Sequence, residues 1–126
     1  DTGQKDLQQY LETPYSNVDR YLTTYCFIMK QDEPVSRFLL LYGFLTLIEG
    51  EQKKIDTLIL KIDSSVPTSS SPKPNFTQKE TLFTRLRNEM MHPNDRKVDL
   101  ANIEQEMRSS VDWLQDITKR HLQSIT

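Results

Sequence analysis

Between positions 35 and 62, apolar side chains fall at Leu41, Leu45, Ile48, Ile55, Ile59 and Ile62. This is the four-three spacing of one helix face, with Gln52 in the vacant seam position. A second stripe of Phe38, Leu39 and Tyr42 widens that face over the front half. So broad an apolar surface cannot be covered by one neighbour, so the rest of the chain has to pack around it. Three glycines in 126 residues leave little material for a turn-rich sheet, while Leu, Ile, Lys, Glu and Gln favour helix. The expectation is an all-α fold: one domain over 1–126, an up-and-down helical bundle of four to five helices. Within the long element, Gly43 and Gly50 each weaken a helix by about 0.8–1.0 kcal/mol relative to alanine. Gly43 suits the close approach of a neighbouring helix and Gly50 a break or kink, and 35–62 reads as one helix carrying both.

The flanking segments supply the partners. Residues 5–12 form a short helical turn around Leu7, Tyr10 and Leu11, stopped by Pro14. A helix over 16–30 follows, with Ser16 as its cap and Val18, Tyr21, Leu22, Tyr25, Ile28 and Met29 on its apolar face; Cys26, beside that stripe, reads as a small core filler. Pro34 sits at a first helical position behind Asp32 as cap. Residues 64–75 contain five serines, three prolines and one apolar residue, an exposed, mobile insert where no chemistry is expected. A helix restarts at Thr77, whose capping box closes on Glu80 behind Phe76, and runs to Pro93. After the loop 94–98, Asp99 caps a last helix reaching about Gln123. Its inward face is Leu100, Ile103, Met107, Val111, Leu114 and Ile117, with Trp113 at the edge.

Composition excludes more than it proposes. A net charge of −2 argues against a nucleic-acid binder that uses its whole surface. Charge is uneven, however: 73–97 holds six basic side chains (Lys73, Lys79, Arg85, Arg87, Arg96, Lys97) against Glu80, Glu89 and Asp95. One cysteine rules out an intrachain disulfide and fits a reducing, cytoplasmic compartment. The apolar run 38–48 is far shorter than the ~20 residues that span a bilayer, so no membrane partner is expected. The start Asp1-Thr2-Gly3-Gln4 suggests a domain excised from a larger protein, with adjoining domains or a protein partner. Three glycines cannot build a phosphate-cradling or dinucleotide loop, and one cysteine with two histidines gives no zinc spacing. Neither a cofactor nor a metal is therefore expected.

What remains is Arg87-Asn88-Glu89-Met90-Met91-His92-Pro93. Leu82, Phe83, Leu86 and Met90 centre the buried face of this helix, and Phe83, Arg87 and Met91 form a second stripe on its flank. The helical neighbours of Arg87 at three and four positions are Phe83, Thr84, Met90 and Met91, none of them a carboxylate. Its partner is therefore solvent, another helix, another chain or a bound anion. Pro93 disfavours helical geometry at His92, which should peel away at the helix C-terminus, where the dipole favours a cation. Two readings stay open: a phosphate site built from Arg87 and His92, or an arginine paired with a neighbouring helix and a histidine acting as a cap. His121, after Arg120, reads as a solvated or end-capping residue.

Arg87-Asn88, three intervening residues and His92, near the end of a helix in a small all-helical chain, resembles the R-x4–6-H motif of the HEPN superfamily. Leu86-Arg87-Asn88 followed by His92-Pro93 is similar to its Apea-like and MauJ-like members. The order of elements is also similar over most of the chain: an apolar helix through 38–49, a variable insert, the motif helix and a closing helix. The resemblance implies a metal-independent endoribonuclease or RNA-binding module of the kind common in prokaryotic defence. It also implies a homodimer whose two motifs share one cleft. On that basis His92 would be the acid/base, Arg87 would hold the scissile phosphate, and Asn88 would be the polar support, with Phe83 and Met91 giving apolar dimer contacts. Asn94 stands where some toxin-type members carry a tyrosine. Many members are non-catalytic, so the alternative is a helical dimerisation or interaction domain.

Overall fold

The computed structural model describes residues 17–72 and 79–126. The expected turn at 5–12, the Ser16 cap and the Phe76-Thr77 helix start lie outside them. Helix accounts for 76% of the structure, in a bundle of six helices. These are α1 (Asn17–Met29), α2 (Pro34–Glu49), α3 (Gln52–Ile62), α4 (Leu82–Met91), α5 (Pro93–Arg96) and α6 (Leu100–Ser124). A two-stranded antiparallel ladder, β1 (Thr68–Ser70) on β2 (Lys79–Thr81), stands between α3 and α4.

Two features raise the helix count above the expected four to five. The 35–62 segment is two helices, because Gly50 takes φ +84°, a region that only glycine enters without strain. Its N–H closes on the Thr46 carbonyl at 2.8 Å, and α3 leaves in a new direction from Glu51. Gly43 makes no close approach: a Cβ there would meet nothing within 4 Å. The second feature is α5, one turn within the expected loop, stopped by Lys97 in the left-handed region.

The core forms where the wide face of α2 meets the 25-residue α6. Phe38, Leu41, Tyr42, Phe44 and Leu45 of α2 are buried, as are Ile103, Met107, Val111, Leu114, Ile117 and Leu122 of α6. Phe83 of α4 joins them, 6.2 Å from the Phe38 ring and edge-on to Trp113 at 5.7 Å. Trp113 is at the edge as expected, its indole N–H donating to Asp63 Oδ2 at 2.9 Å. Leu100, expected inward, is 45% exposed, because Asp99 caps α6 outside the packed region. On α1, Tyr21 and Tyr25 clasp Phe44, while Cys26 is exposed and fills no core space.

Caps follow local chemistry, with one displacement. Glu33, not Asp32, caps α2, its Oε2 accepting from the Ser36 N–H at 2.6 Å. The 64–75 insert is more structured than its composition suggests. Val66 is 3% exposed and part of the core, and Thr68–Ser70 pairs with Lys79–Thr81 in the register Thr68↔Thr81, Ser69↔Glu80, Ser70↔Lys79. Glu80 therefore belongs to a strand rather than to a capping box, and Thr81 caps α4 through the Thr84 N–H.

Candidate functional site

The start of α4 is held by a carboxylate from another helix. Asp56 of α3 is 1% exposed, and its Oδ1 accepts from Thr81 Oγ1 at 2.7 Å, Thr84 Oγ1 at 2.5 Å and the Thr81 N–H at 3.3 Å. Thr84 in turn contacts the Tyr42 hydroxyl at 2.7 Å. Burial pushes the Asp56 carboxyl above its ordinary range, against the hydrogen bonds from Thr84 and Thr81, and the charge of Glu80 adds to the rise. Burial raises the Tyr42 phenol as well, opposed by Thr84 and by the charge of Arg87.

One turn away lies a second buried carboxylate, with cationic support. Glu80 of β2 receives both arms of Arg96, Nη1 to Oε1 at 2.7 Å and Nη2 to Oε2 at 3.0 Å. Asn88 Nδ2 donates to Glu80 Oε2 at 2.7 Å and to Gln52 Oε1 at 3.1 Å. Burial alone would raise the Glu80 carboxyl, but the Arg96 and Asn88 hydrogen bonds and the Arg96 charge hold it below its ordinary range.

On this frame Arg87, Asn88 and His92 line one cleft of about 460 Å³, with Gln52, Pro72, Asp95 and Arg96. His92 leaves the helix as expected, at φ −135° and ψ 57°, its N–H bonded to the Asn88 carbonyl at 2.9 Å and its side chain exposed. It also precedes α5, where its carbonyl accepts from the Arg96 N–H at 3.2 Å. The two helix ends thereby fix its backbone at the rim. The Arg87 guanidinium lies over the Tyr42 ring, 4.9 Å from the centroid. Among the described residues it pairs with no carboxylate, and its buried Nε has no hydrogen-bond partner. Arg87 also borders an adjacent apolar groove formed by Leu39, Tyr42, Gly43, Thr46 and Met91.

The three motif residues are thus brought together, but not on equal terms. Asn88 is 6% exposed and its amide is engaged with Glu80 and Gln52, so it braces the floor of the cleft. Phe83 is fully buried and offers nothing to a dimer, whereas Met91 is 59% exposed. The basic excess of 73–97 is partly neutralised: Arg85 bonds Glu89 at 3.0 Å and Glu106 at 3.1 Å, and Arg96 is sealed on Glu80. His121 is neither solvated nor an end cap, since its Nε2 meets Glu49 Oε1 at 2.9 Å and ties α6 to the end of α2. Sequence reasoning missed Gln52, Pro72, Asp95 and Arg96 as cleft residues. Their signals were a lone polar residue in an apolar seam, a proline in a supposed linker, and an acidic and a basic residue two and three positions beyond the helix-ending proline.

Among the described residues no helix is long and apolar enough to cross a membrane, and no cluster of histidine, cysteine or carboxylate could hold a metal ion. Comparison with protein-family models, with curated proteins and with solved structures finds no match to this chain.

Proposed function

We propose that the cleft binds the phosphate backbone of RNA and that the chain is a HEPN-like, cytoplasmic module acting as a metal-independent endoribonuclease. The observation that carries this reading is Arg87. It stands in a cleft with His92 at the rim, and no carboxylate among the described residues neutralises it. Arginine presents a planar fork suited to phosphate, and an exposed imidazole carries ring nitrogens that can donate or accept a proton. Together they supply what attack by a ribose 2′-hydroxyl needs. His92 moves the proton, Arg87 stabilises charge on the phosphorane-like transition state, and Asn88 keeps the cleft floor rigid. A homodimer would bring two such clefts together, and the exposed Met91, Leu40 and Leu47 are available for that contact.

The test is cleavage of single-stranded RNA in the presence of EDTA. His92→Ala is expected to lower the rate by about 10²–10⁴ while the melting curve is retained. Cleavage unchanged in that variant removes His92 from the chemistry. A second reading is favoured by the engagement of Asn88 inside the protein: a non-catalytic dimerisation or interaction domain of a larger protein. It expects dimerisation in sedimentation experiments with no RNA cleavage and no RNA affinity lost in Arg87→Ala.

A further inference from the structure

Counting protons along the Asp56–Thr84–Tyr42 chain fixes its direction. Thr84 has one hydroxyl proton, and Asp56 Oδ1 receives it at 2.5 Å. The 2.7 Å contact between Tyr42 and Thr84 must then run with Tyr42 donating. This holds whether Asp56 is ionised or carries a proton on Oδ2, because Oδ1 accepts in both forms. The phenol proton therefore points inward, and the ring is pinned at its far end by a buried relay. Tyr42 is only 1% exposed, so what covers its outer face is the protein itself, and the guanidinium of Arg87 sits there at 4.9 Å.

We propose that Tyr42 is the positioning residue for Arg87: its anchored ring holds the guanidinium at the cleft in the role a carboxylate would otherwise fill. A carboxylate there would neutralise the arginine. An aromatic face orients a cation by its quadrupole and leaves the full positive charge for an incoming anion. Asp56 and Thr84 act one step further back, by fixing the ring. The proposal rests on Arg87 as the anion-binding group, but the positioning itself can be read without any ligand.

Two measurements test it. In ¹⁵N–¹H spectra of arginine Nε–H groups, the Arg87 signal, assigned by its loss in Arg87→Lys, is expected to be displaced by the Tyr42 ring current. Tyr42→Leu should return it to the ordinary arginine position, and Tyr42→Phe should keep most of the displacement. The second measurement is affinity for a single-stranded 2′-O-methyl RNA, which cannot be cleaved. Tyr42→Leu is expected to bind about tenfold more weakly, and Tyr42→Leu combined with Arg87→Ala no more weakly than Arg87→Ala alone, because the two act through one contact. An Arg87 signal that does not move in Tyr42→Leu, or losses that add in the double variant, overturns the proposal. If Tyr42→Leu does not fold, Thr84→Val frees the phenol and keeps the ring; it should shrink the displacement, and an unchanged displacement there overturns the proposal equally. Wild-type affinity in Arg87→Ala, with the ring-current result intact, rejects the RNA reading and leaves the positioning standing.

Discussion

Two buried carboxylates, Glu80 and Asp56, meet α4 one turn apart, at Asn88 and Thr84, and are handled in opposite ways. Each is 1% exposed. Glu80 is met by a guanidinium at both oxygens and by an amide, so its charge is cancelled where it stands. Asp56 is met by two hydroxyls and a backbone N–H on one oxygen, while Oδ2 has no partner among the described residues. Charge is therefore cancelled at Glu80, while Arg87, in the same cleft as Arg96, has no carboxylate partner among the described residues. The lesson is that the same residue type serves as a strut or as a binding group according to whether a carboxylate is built in beside it. Arg96 locks β2, α4 and α5 together, and Arg87 rests on an aromatic ring facing a cleft.

The Glu80–Arg96 pair is the costliest of these contacts to disturb. Arg96→Ala leaves Glu80 buried without its counter-charge and should destabilise the fold by about 3–5 kcal/mol in urea unfolding. A loss below ~1 kcal/mol would mean that the pair is not sealed. Acid probes the same contrast. Glu80 has a lowered folded value, so its contribution is present above its ordinary 4.5 and is lost as pH falls through that lowered value. Asp56 has a raised folded value, so its contribution is full below its ordinary 3.8 and disappears as pH rises through the raised value. In urea midpoints measured against pH, Glu80→Gln should flatten the acid limb, and Asp56→Asn should lift the neutral-pH side relative to the acid side. An acid limb retained in Glu80→Gln would contradict the assignment. Thr84→Val removes the hydroxyl joining Asp56 to Tyr42 and should cost about 1–3 kcal/mol by leaving buried polar atoms unpaired. Arg87→Ala should have the smallest effect, under about 1 kcal/mol, since it breaks a cation–π contact and no ion pair. A thermal melt displaced as far as that of Arg96→Ala would make Arg87 structural.

Periodicity in the sequence carried the bundle well: the α6 face through Ile103, Met107, Val111, Leu114 and Ile117, the Asp99 cap, Pro34 at a helix start and His92 leaving its helix were all legible. Each depends on neighbours within a turn or two. The break at Gly50 was legible only as one of two options, because a glycine in an apolar rhythm fits a kink as well as a corner, and the choice is made by what α3 packs against. Glu80 shows the same limit. Its spacing from Thr77 imitates a capping box, but its partner Arg96 lies sixteen residues away, beyond any local rule. Strands as short and as rich in serine as β1 have no apolar alternation to display. At the site, the sequence isolated Arg87 by showing what its helix lacked. That Tyr42 would lie beneath it required a helix corner and a β-ladder to set α2 and α4 face to face.

The ladder of three residue pairs has a consequence for how the chain tolerates change. Ser70↔Lys79 closes a neck, so the two strands are tied to each other whatever length of chain joins them. Closing such a loop costs chain entropy that grows only with the logarithm of its length, about 0.6 kcal/mol for each doubling. Peptides of quite different length grafted after Pro72 would therefore leave the cleft's frame standing.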